Sequence, residues 1–425
     1  VKRAAACLAA LALGACGAGG HAGRAQQRAL PRTEGAAETT DRVDRTARLR
    51  SIAARCGIDP AAVCGDEHAN GCLEPTDAPG GALAFRYRDR AQWSDEGRSP
   101  LPHFLVQPMR SLRNAYSAAA PGSEDERVCE RALAIEIEYL RSTLVQRGDA
   151  MVWENEDGLA QAMEQAEWAH VIASIAAAHA ARQRHDEART LTVLALALAA
   201  ALDVPAAPRS GGVRSEERFC DDGTGTMHSC FWLHSRGVGL RTEGDAPRWV
   251  LNQHLHAVMD SLLLYETLAR LVPADDPRRT RARERALGGL LVLLPQAEVT
   301  PDAPRPLPTL EDFRDPHGEH DWAHYEFDPA LGRARGISIA RTCHYHAHVL
   351  QLVANIARWA DAHGDELALQ HPLETMLRRE GIVHALWESE QSASARHERG
   401  CPQPPLDPAA IRDSAFYLER FGASE

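Results

Sequence analysis

The sequence predicts an all-α protein, an α/α toroid built from helical hairpins, on three observations. Alanine, leucine and arginine are plentiful, while aromatic residues make up only 5% of the 425, a mixture that favours helix over sheet. From Pro108 onward apolar residues recur at helical spacing through about 108–119, 124–147, 157–182, 185–202, 250–272, 276–295, 341–363 and 370–388, with a short last pattern near 408–420. Two long connections, roughly 203–249 and 296–339, collect much of the Trp, His and Gly, and loops of that length in a compact domain are usually functional. Hairpin following hairpin fits a ring of inner helices around a cleft that the loops wall. No fixed-period repeat supports a helical solenoid.

Taken in order, the chain starts with a targeting pattern. Lys2 and Arg3 precede an apolar run from Ala4 to Leu13, and Leu13-Gly14-Ala15-Cys16 resembles a bacterial lipoprotein signal in which Cys16 is lipidated. The run is too short to span a bilayer. Residues 1–15 are thus expected to be a signal peptide. The mature chain is expected in the cell envelope, held to a bacterial membrane by acyl chains on the periplasmic or outer-surface side. Residues 16–45, rich in Gly, Ala, Arg, Thr and Glu without apolar periodicity, read as a flexible tether. Residues 46–80 form a cysteine-bearing segment with one helix near Thr46 to Cys56, and 81–425 form the toroid domain. Its first part, Ala82 to Gln107, reads as extended or loop-like. The helices that follow have recognisable stops: Gly148-Asp149 closes one, Pro205 follows another and Pro273 a third.

Composition narrows the chemistry. A net charge of −12 with no long basic run argues against a nucleic-acid partner. No lysine follows Lys2, which removes the side chain needed for a Schiff base with pyridoxal phosphate or for a Walker-type phosphate loop, and no cofactor is expected. Beyond Cys7 and Cys16, the eight cysteines Cys56, Cys64, Cys72, Cys129, Cys220, Cys230, Cys343 and Cys401 form an even set that suggests up to four disulfides after export. Cys220 with Cys230 is the easiest pair to imagine. No CxxC occurs, so a metal cluster is not expected.

The segment ARTCHYHAHVLQL, 340–352, concentrates polar rings in an otherwise apolar helix. At the helical angle His344, His348, Gln351, Asn355 and Arg358 share a polar stripe, while Tyr345, Val349, Leu352, Ile356 and Trp359 share an apolar one. His346 lies on a second buried-side row. The rings point in two directions, so one three-histidine metal site on this helix is geometrically poor. A second histidine-rich stretch, HGEHDWAHYEFD, offers His317, His320 and His324; a metal-dependent hydrolase there is one alternative, a histidine-rich loop lining the cleft the other. Glu164 and Glu167 open a helix where carboxylates favour the dipole. Trp153, Trp168, Trp232, Trp249 and Trp322 are candidate sugar platforms or core residues.

Several of these motifs, taken in order, resemble a known family. Tyr345-His346-Ala347-His348-Val349-Leu350-Gln351-Leu352 is similar to the pattern that opens a late helix in the D-glucuronyl C5-epimerase C-terminal domain family. Trp249-Val250-Leu251-Asn252-Gln253-His254, continuing to Tyr265-Glu266, resembles that family's Leu-Asn-Gly helix. Ala162-Met163-Glu164-Gln165-Ala166 resembles its Met-Ala-Gln-Gly helix start, and Tyr139-Leu140 to Trp153 the unit before it. The resemblance implies an α/α toroid acting on a uronic-acid-containing glycan by removing and returning the C5 proton. It makes Tyr345 the candidate acid/base, with His346 and His348 as neighbours, Asn252 as a positioning residue and Tyr325 as a second tyrosine.

The chain also departs from the family. Where the family has a Glu-Tyr pair before the Leu-Asn-Gly helix, Leu233-His234-Ser235-Arg236 stands here, and Gln253 and Ala166 replace glycines. His234 is the candidate second acid/base, and His254, His348, Arg236, Trp249 and Gln165 join Asn252 as candidate substrate contacts. Loss of the C4 oxygen after proton removal makes the same apparatus a polysaccharide lyase. The remaining alternative is a non-catalytic envelope lipoprotein that binds glycan or a protein partner.

Overall fold

A computed structural model describes residues 47–58, 71–75, 83–87, 103–153, 160–206, 248–293, 307–313, 326–328, 333–335 and 339–363, together with most of 210–235. These residues are predominantly helical. Residues 47–55 form α1, followed by α2 (His103–Ala118), α3 (Glu124–Thr143), α4 (Ala162–Ala181), α5 (His185–Ala200), α6 (Leu251–Leu268), α7 (Pro277–Leu291) and α8 (Ile339–His363). The sequence patterns at 370–388 and 408–420 lie outside the described residues, as do Cys16, Arg236, Tyr325 and the histidine-rich stretch 317–324.

The helices start and stop for local reasons. Ser123 caps α3 by accepting from the Glu126 N–H at 3.1 Å, and Glu124, Asp125 and Glu126 complement the dipole in the first turn. Asp276 caps α7 in the same way, ahead of Pro277 in its first turn. Two boundaries differ from the periodicity. The stretch 144–147 is a strand, not the end of a helix: Leu144 turns extended, and β3 (Leu144–Arg147) pairs antiparallel with β4 (Ala150–Trp153) across Gly148, whose φ of 59° suits a tight turn. Helix α2 begins at His103, before the expected start, because Val106 and Met109 anchor its buried face on both sides of Pro108.

Order in space follows order in sequence. Helix α4 packs between α2 and α6, and α6 in turn packs on α8, so these four form an inner row. Helix α3 lies on α2, α5 on α4 and α7 on α6, as an outer layer. This two-layer arc of consecutive hairpins is the α/α toroid arrangement that the sequence predicts. One core joins Leu49, Ala53 and Cys56 of the first helical segment to α2–α5, and a second surrounds α6–α8. Residues 47–58 therefore pack with the helical body.

Strands trim the loops. β1 (Gly71–Pro75) pairs with β2 (Leu83–Tyr87), and β5 (Arg218–Asp221) with β6 (Met227–Cys230). β7 (Trp249–Val250), β8 (Glu326–Asp328) and β9 (Arg333–Arg335) form a three-stranded sheet that ties the two long connections together. Cys220–Cys230 clips the β5–β6 hairpin, as the spacing suggested, and Cys56–Cys129 fastens the segment before β1 to α3. Among the described residues no helix is long and apolar enough to cross a membrane.

Candidate functional site

The inner helices are apolar where they pack, yet each carries polar residues one turn apart. On α2 these are Arg110 and Arg113; on α4, Glu164, Glu167 and His170. On α6 they are Asn252, His256 and Asp260, and on α8 His348, Gln351 and Asn355. A three- or four-residue step keeps each set on one face of its helix, and the contacts show that the faces meet.

The geometry is two bonded sets one turn apart on α6, a histidine pair and a cluster of acid, base and cation. His256 Nε2 and His348 Nε2 lie 2.9 Å apart, so one ring donates and the other accepts. One turn along α6, Asp260 Oδ1 accepts from His170 Nδ1 at 3.0 Å and from Arg110 at 3.5 Å. Arg110 reaches Glu167 at 3.2 Å with its other terminal nitrogen. The bond to Asp260 puts the His170 proton on Nδ1 and leaves Nε2 as the ring's basic atom, as a carboxylate behind an imidazole does. Side chains retain some access to solvent: 35% for Arg110, 16% for Glu167 and 15% for His170.

Burial sets the charges. It pushes the Glu167 carboxyl up to about 8, helped by the Asp260 charge and more weakly by Glu164 and opposed by Arg110. Glu167 is therefore mainly protonated at neutral pH and can give a proton. Burial likewise lowers His256 below the usual histidine range, so it is neutral at pH 7, and burial with the neighbouring Arg110 lowers Arg113. The wall thus offers imidazoles, with His256 held neutral by burial, one carboxylic acid and the guanidinium groups of Arg110 and Arg113. Among the described residues no group of three His, Cys, Asp or Glu side chains could hold a metal ion.

The sequence candidates divide between this wall and the core. His348 and Asn252 stand on the wall. Tyr345 lies on α8, three residues before His348, and its backbone alone is described. His346 is fully buried beside the α8 core residues, not on the wall. His234 is also sealed: it stands edge-on to Trp249 at 4.4 Å between ring centroids, and burial, then the nearby His254, lower it to about 3. A ring with no exposure cannot trade a proton with a substrate, which corrects its assignment as the second acid/base.

His254 is structural for a related reason. Its Nδ1 accepts the Leu233 N–H at 3.0 Å, its Nε2–H donates to the Gly289 carbonyl at 2.7 Å, and the ring stacks on Trp232. Both nitrogens are committed. Trp249 packs 5.8 Å from Trp232 and is only partly buried. Gln165 is a clamp: its amide nitrogen donates to the Met151 and Leu198 carbonyls and its oxygen accepts from the Trp153 N–H, tying the β3–β4 hairpin to α4 and α5. That replaces the expected substrate contact.

No motif in the sequence singles out Arg110, His170, His256 or Asp260, and by sequence alone Glu167 reads as a helix-dipole carboxylate. The available signal was the spacing of Glu164, Glu167 and His170, and of Asn252, His256 and Asp260, within helices otherwise apolar.

No family model and no curated protein matches the chain. Among solved structures, a D-mannose isomerase is similar over 82% of this chain and 72% of its own, with 8% identity and a TM-score of 0.38. A cellobiose 2-epimerase from Spirochaeta thermophila is similar over 88% and 85%, with 14% identity and a TM-score of 0.36. Likeness at this level transfers no residue role, and the roles assigned below rest on this chain's own geometry.

Proposed function

We propose that this protein is a carbohydrate epimerase that works by proton transfer next to a carboxylate, with a uronic-acid-containing glycan as substrate and C5 as the reacting carbon. The observation that carries the reading is the His348–His256 pair, one turn along α6 from the cluster of Asp260, His170, Arg110 and Glu167, on one wall of the inner helices. A hydrogen alpha to a carboxylate leaves only when the charge moving onto the carboxylate is neutralised, and Arg110 supplies the cation. One imidazole of the pair, His256 being held neutral by burial, takes the C5 proton, and the electron pair moves onto the carboxylate. Return of a proton to the opposite face gives the C5 epimer, so no atom is gained or lost. Substrate entry replaces the hydrogen bond between His256 and His348, leaving a ring for each side of the carbon. Glu167, held protonated, supplies a hydrogen bond or proton to the developing enediolate.

The family resemblance supports this reading and adds Tyr345 as a further acid/base at the same end of α8. The lipoprotein-like pattern ending at Cys16 supports a reaction in the cell envelope, on a membrane-anchored protein.

Proton NMR in deuterated water tests the proposal, using the chain after Cys16 with a panel of uronic-acid polysaccharides and neutral aldoses. Deuterium should enter at C5 of a uronate, and His348→Gln and His256→Gln should each slow it by two or more orders of magnitude, as loss of a general base does. Loss of exchange in Tyr345→Phe alone moves the chemistry to the phenol. A new unsaturated uronate marks a lyase. Exchange at C2 of an aldose overturns the uronate assignment, and binding without exchange leaves a glycan-binding protein.

A further inference from the structure

A cavity of about 530 Å³, none of whose lining residues belongs to the inner wall, lies between the 3₁₀ turn Ala201–Asp203, the β5–β6 hairpin and outer helix α7. Its size falls within the roughly 300–1,000 Å³ of small-molecule sites. Arg214, Arg281 and Arg285 line it together with Asp203, Glu217 and Glu284, so its formal charge is zero. The arginines are partly spent. Asp203 takes Arg285 Nε at 3.1 Å and Nη2 at 2.7 Å, and Glu217 takes Arg214 at 3.3 Å.

These pairs leave donors over. Arg285 Nη1, Arg214 Nε and Ser229 Oγ belong to lining residues, are shielded from bulk water and meet no acceptor among the described residues. Arg285 as a whole is 3% exposed. Native proteins rarely leave several buried donors unmatched around one cavity. What they call for is a ligand rich in acceptor oxygens, reached by small turns of these side chains. Zero net charge in the lining suits a monoanion better than a phosphate dianion.

The hairpin adds an apolar side. Strand register sets Phe219 opposite Ser229, with Met227 two residues along the same face. Phe219 is 71% exposed and Met227 50%, unusual for large apolar residues, and Cys220–Cys230 fixes the hairpin that presents them. Phe219 is not itself a lining residue but neighbours one, Ser229, across the ladder, so it can extend the site with an aromatic face. Such a face beside oxygen-seeking donors fits a pyranose, whose ring has one apolar face and a hydroxylated rim.

We propose that this cavity is a second carbohydrate site, separate from the inner wall, that takes a carboxylate-bearing sugar through Arg214, Arg285 and Ser229 with Phe219 as its platform. The proposal stands on the cavity's own chemistry and does not depend on the reaction assigned to the inner helices. Calorimetric titration of the purified chain with D-glucuronate, D-glucose and inorganic phosphate tests it. Ser229→Ala and Phe219→Ala are the variants of choice, because neither breaks an ion pair. Glucuronate should bind saturably and more tightly than glucose. Measured in a His256→Gln background, to set aside binding at the inner wall, affinity should fall about tenfold in Ser229→Ala, which removes a hydrogen bond to a charged group, and severalfold in Phe219→Ala. Three results overturn the proposal: no saturable glucuronate binding, phosphate binding as tightly as glucuronate, or glucuronate binding that responds to His256→Gln and not to Ser229→Ala.

Discussion

Glu167→Gln tests the electrostatics of the inner wall. Glutamine keeps the shape of the protonated acid but cannot ionise, so the substitution removes one titration and little else. In the folded protein the Glu167 carboxyl sits at about 8 against 4.5 for the free group. Because the folded value is the higher one, the folded state holds this proton more tightly. The stability it contributes is fully present below pH 4.5 and is lost as pH rises through about 8. At about 1.4 kcal/mol per pH unit the displacement corresponds to roughly 5 kcal/mol. That is a ceiling, since 16% of the side chain meets water and the Asp260 carboxylate, which shares Arg110, can take up the proton in its place. About half of it is the expected effect.

Urea unfolding of wild type and variant at a series of pH values reads this directly, because titrations elsewhere cancel in the difference. Variant and wild type should agree to about 1 kcal/mol at pH 5, an ordinary spread for a mild substitution. At pH 9 the variant should be more stable by about 2–3 kcal/mol. A variant less stable at every pH would refute the reasoning: Glu167 would then be the ionised partner of Arg110, and the wall would lack its proton donor.

Three further outcomes follow from particular residues. The buried His254 and His234 have pKa values lowered to about 4 and about 3, against 6.5 for the free ring, so the stability they contribute is present above pH 6.5 and lost as pH falls toward 4; a melting temperature in His254→Gln that depends on acid as strongly as in wild type would contradict this. Gln165→Ala strands two carbonyls and one N–H in the core and should cost roughly 3 kcal/mol or more in chemical denaturation, with C5 exchange per folded molecule unchanged; an intact fold with a raised KM would restore Gln165 as a substrate contact. Chain entropy makes Cys56–Cys129, spanning 73 residues, worth about 4 kcal/mol and Cys220–Cys230, spanning 10, about 3 kcal/mol, so replacing the first pair with alanine should lower the denaturation midpoint more than replacing the second.

The helices were legible in the sequence because their apolar periodicity is the packing itself: the boundaries of α5 and α7 fall close to the predicted ones, and the end of α8 falls on its prediction. The hairpin at 144–153 was not, because Leu144 and Val145 continue the apolar pattern of α3 and only the backbone turn at Gly148 decides between helix and strand. Site residues were legible one helix at a time. The stripe His344, His348, Gln351 and Asn355 could be drawn from α8 alone. The partner of His348 could not, since His256 is 92 residues away and its neighbourhood depends on α6 packing against α8. His234 and His254 misled for the converse reason: a histidine in a tryptophan-rich segment reads equally well as ligand or as core, and only their burial separates the two.

That separation gives a general reason for the location of the chemistry. The buried His254 and His179 are each held by one fixed partner or more: His254 by Leu233 and Gly289, His179 by the Tyr116 hydroxyl at 3.3 Å. Such rings are neutral and stay so, because protonation would break a bond that the core cannot replace. On the inner wall His256 and His348 face another titratable ring, and His170 faces a carboxylate that also serves Arg110. Moving a proton there exchanges one hydrogen bond for another at little cost, since each neighbour can change from donor to acceptor or answer with charge. Proton traffic therefore belongs to the wall and rigidity to the core behind it, which is why Gln165 and His254, bonded through both ends, hold the helices that present the reactive set.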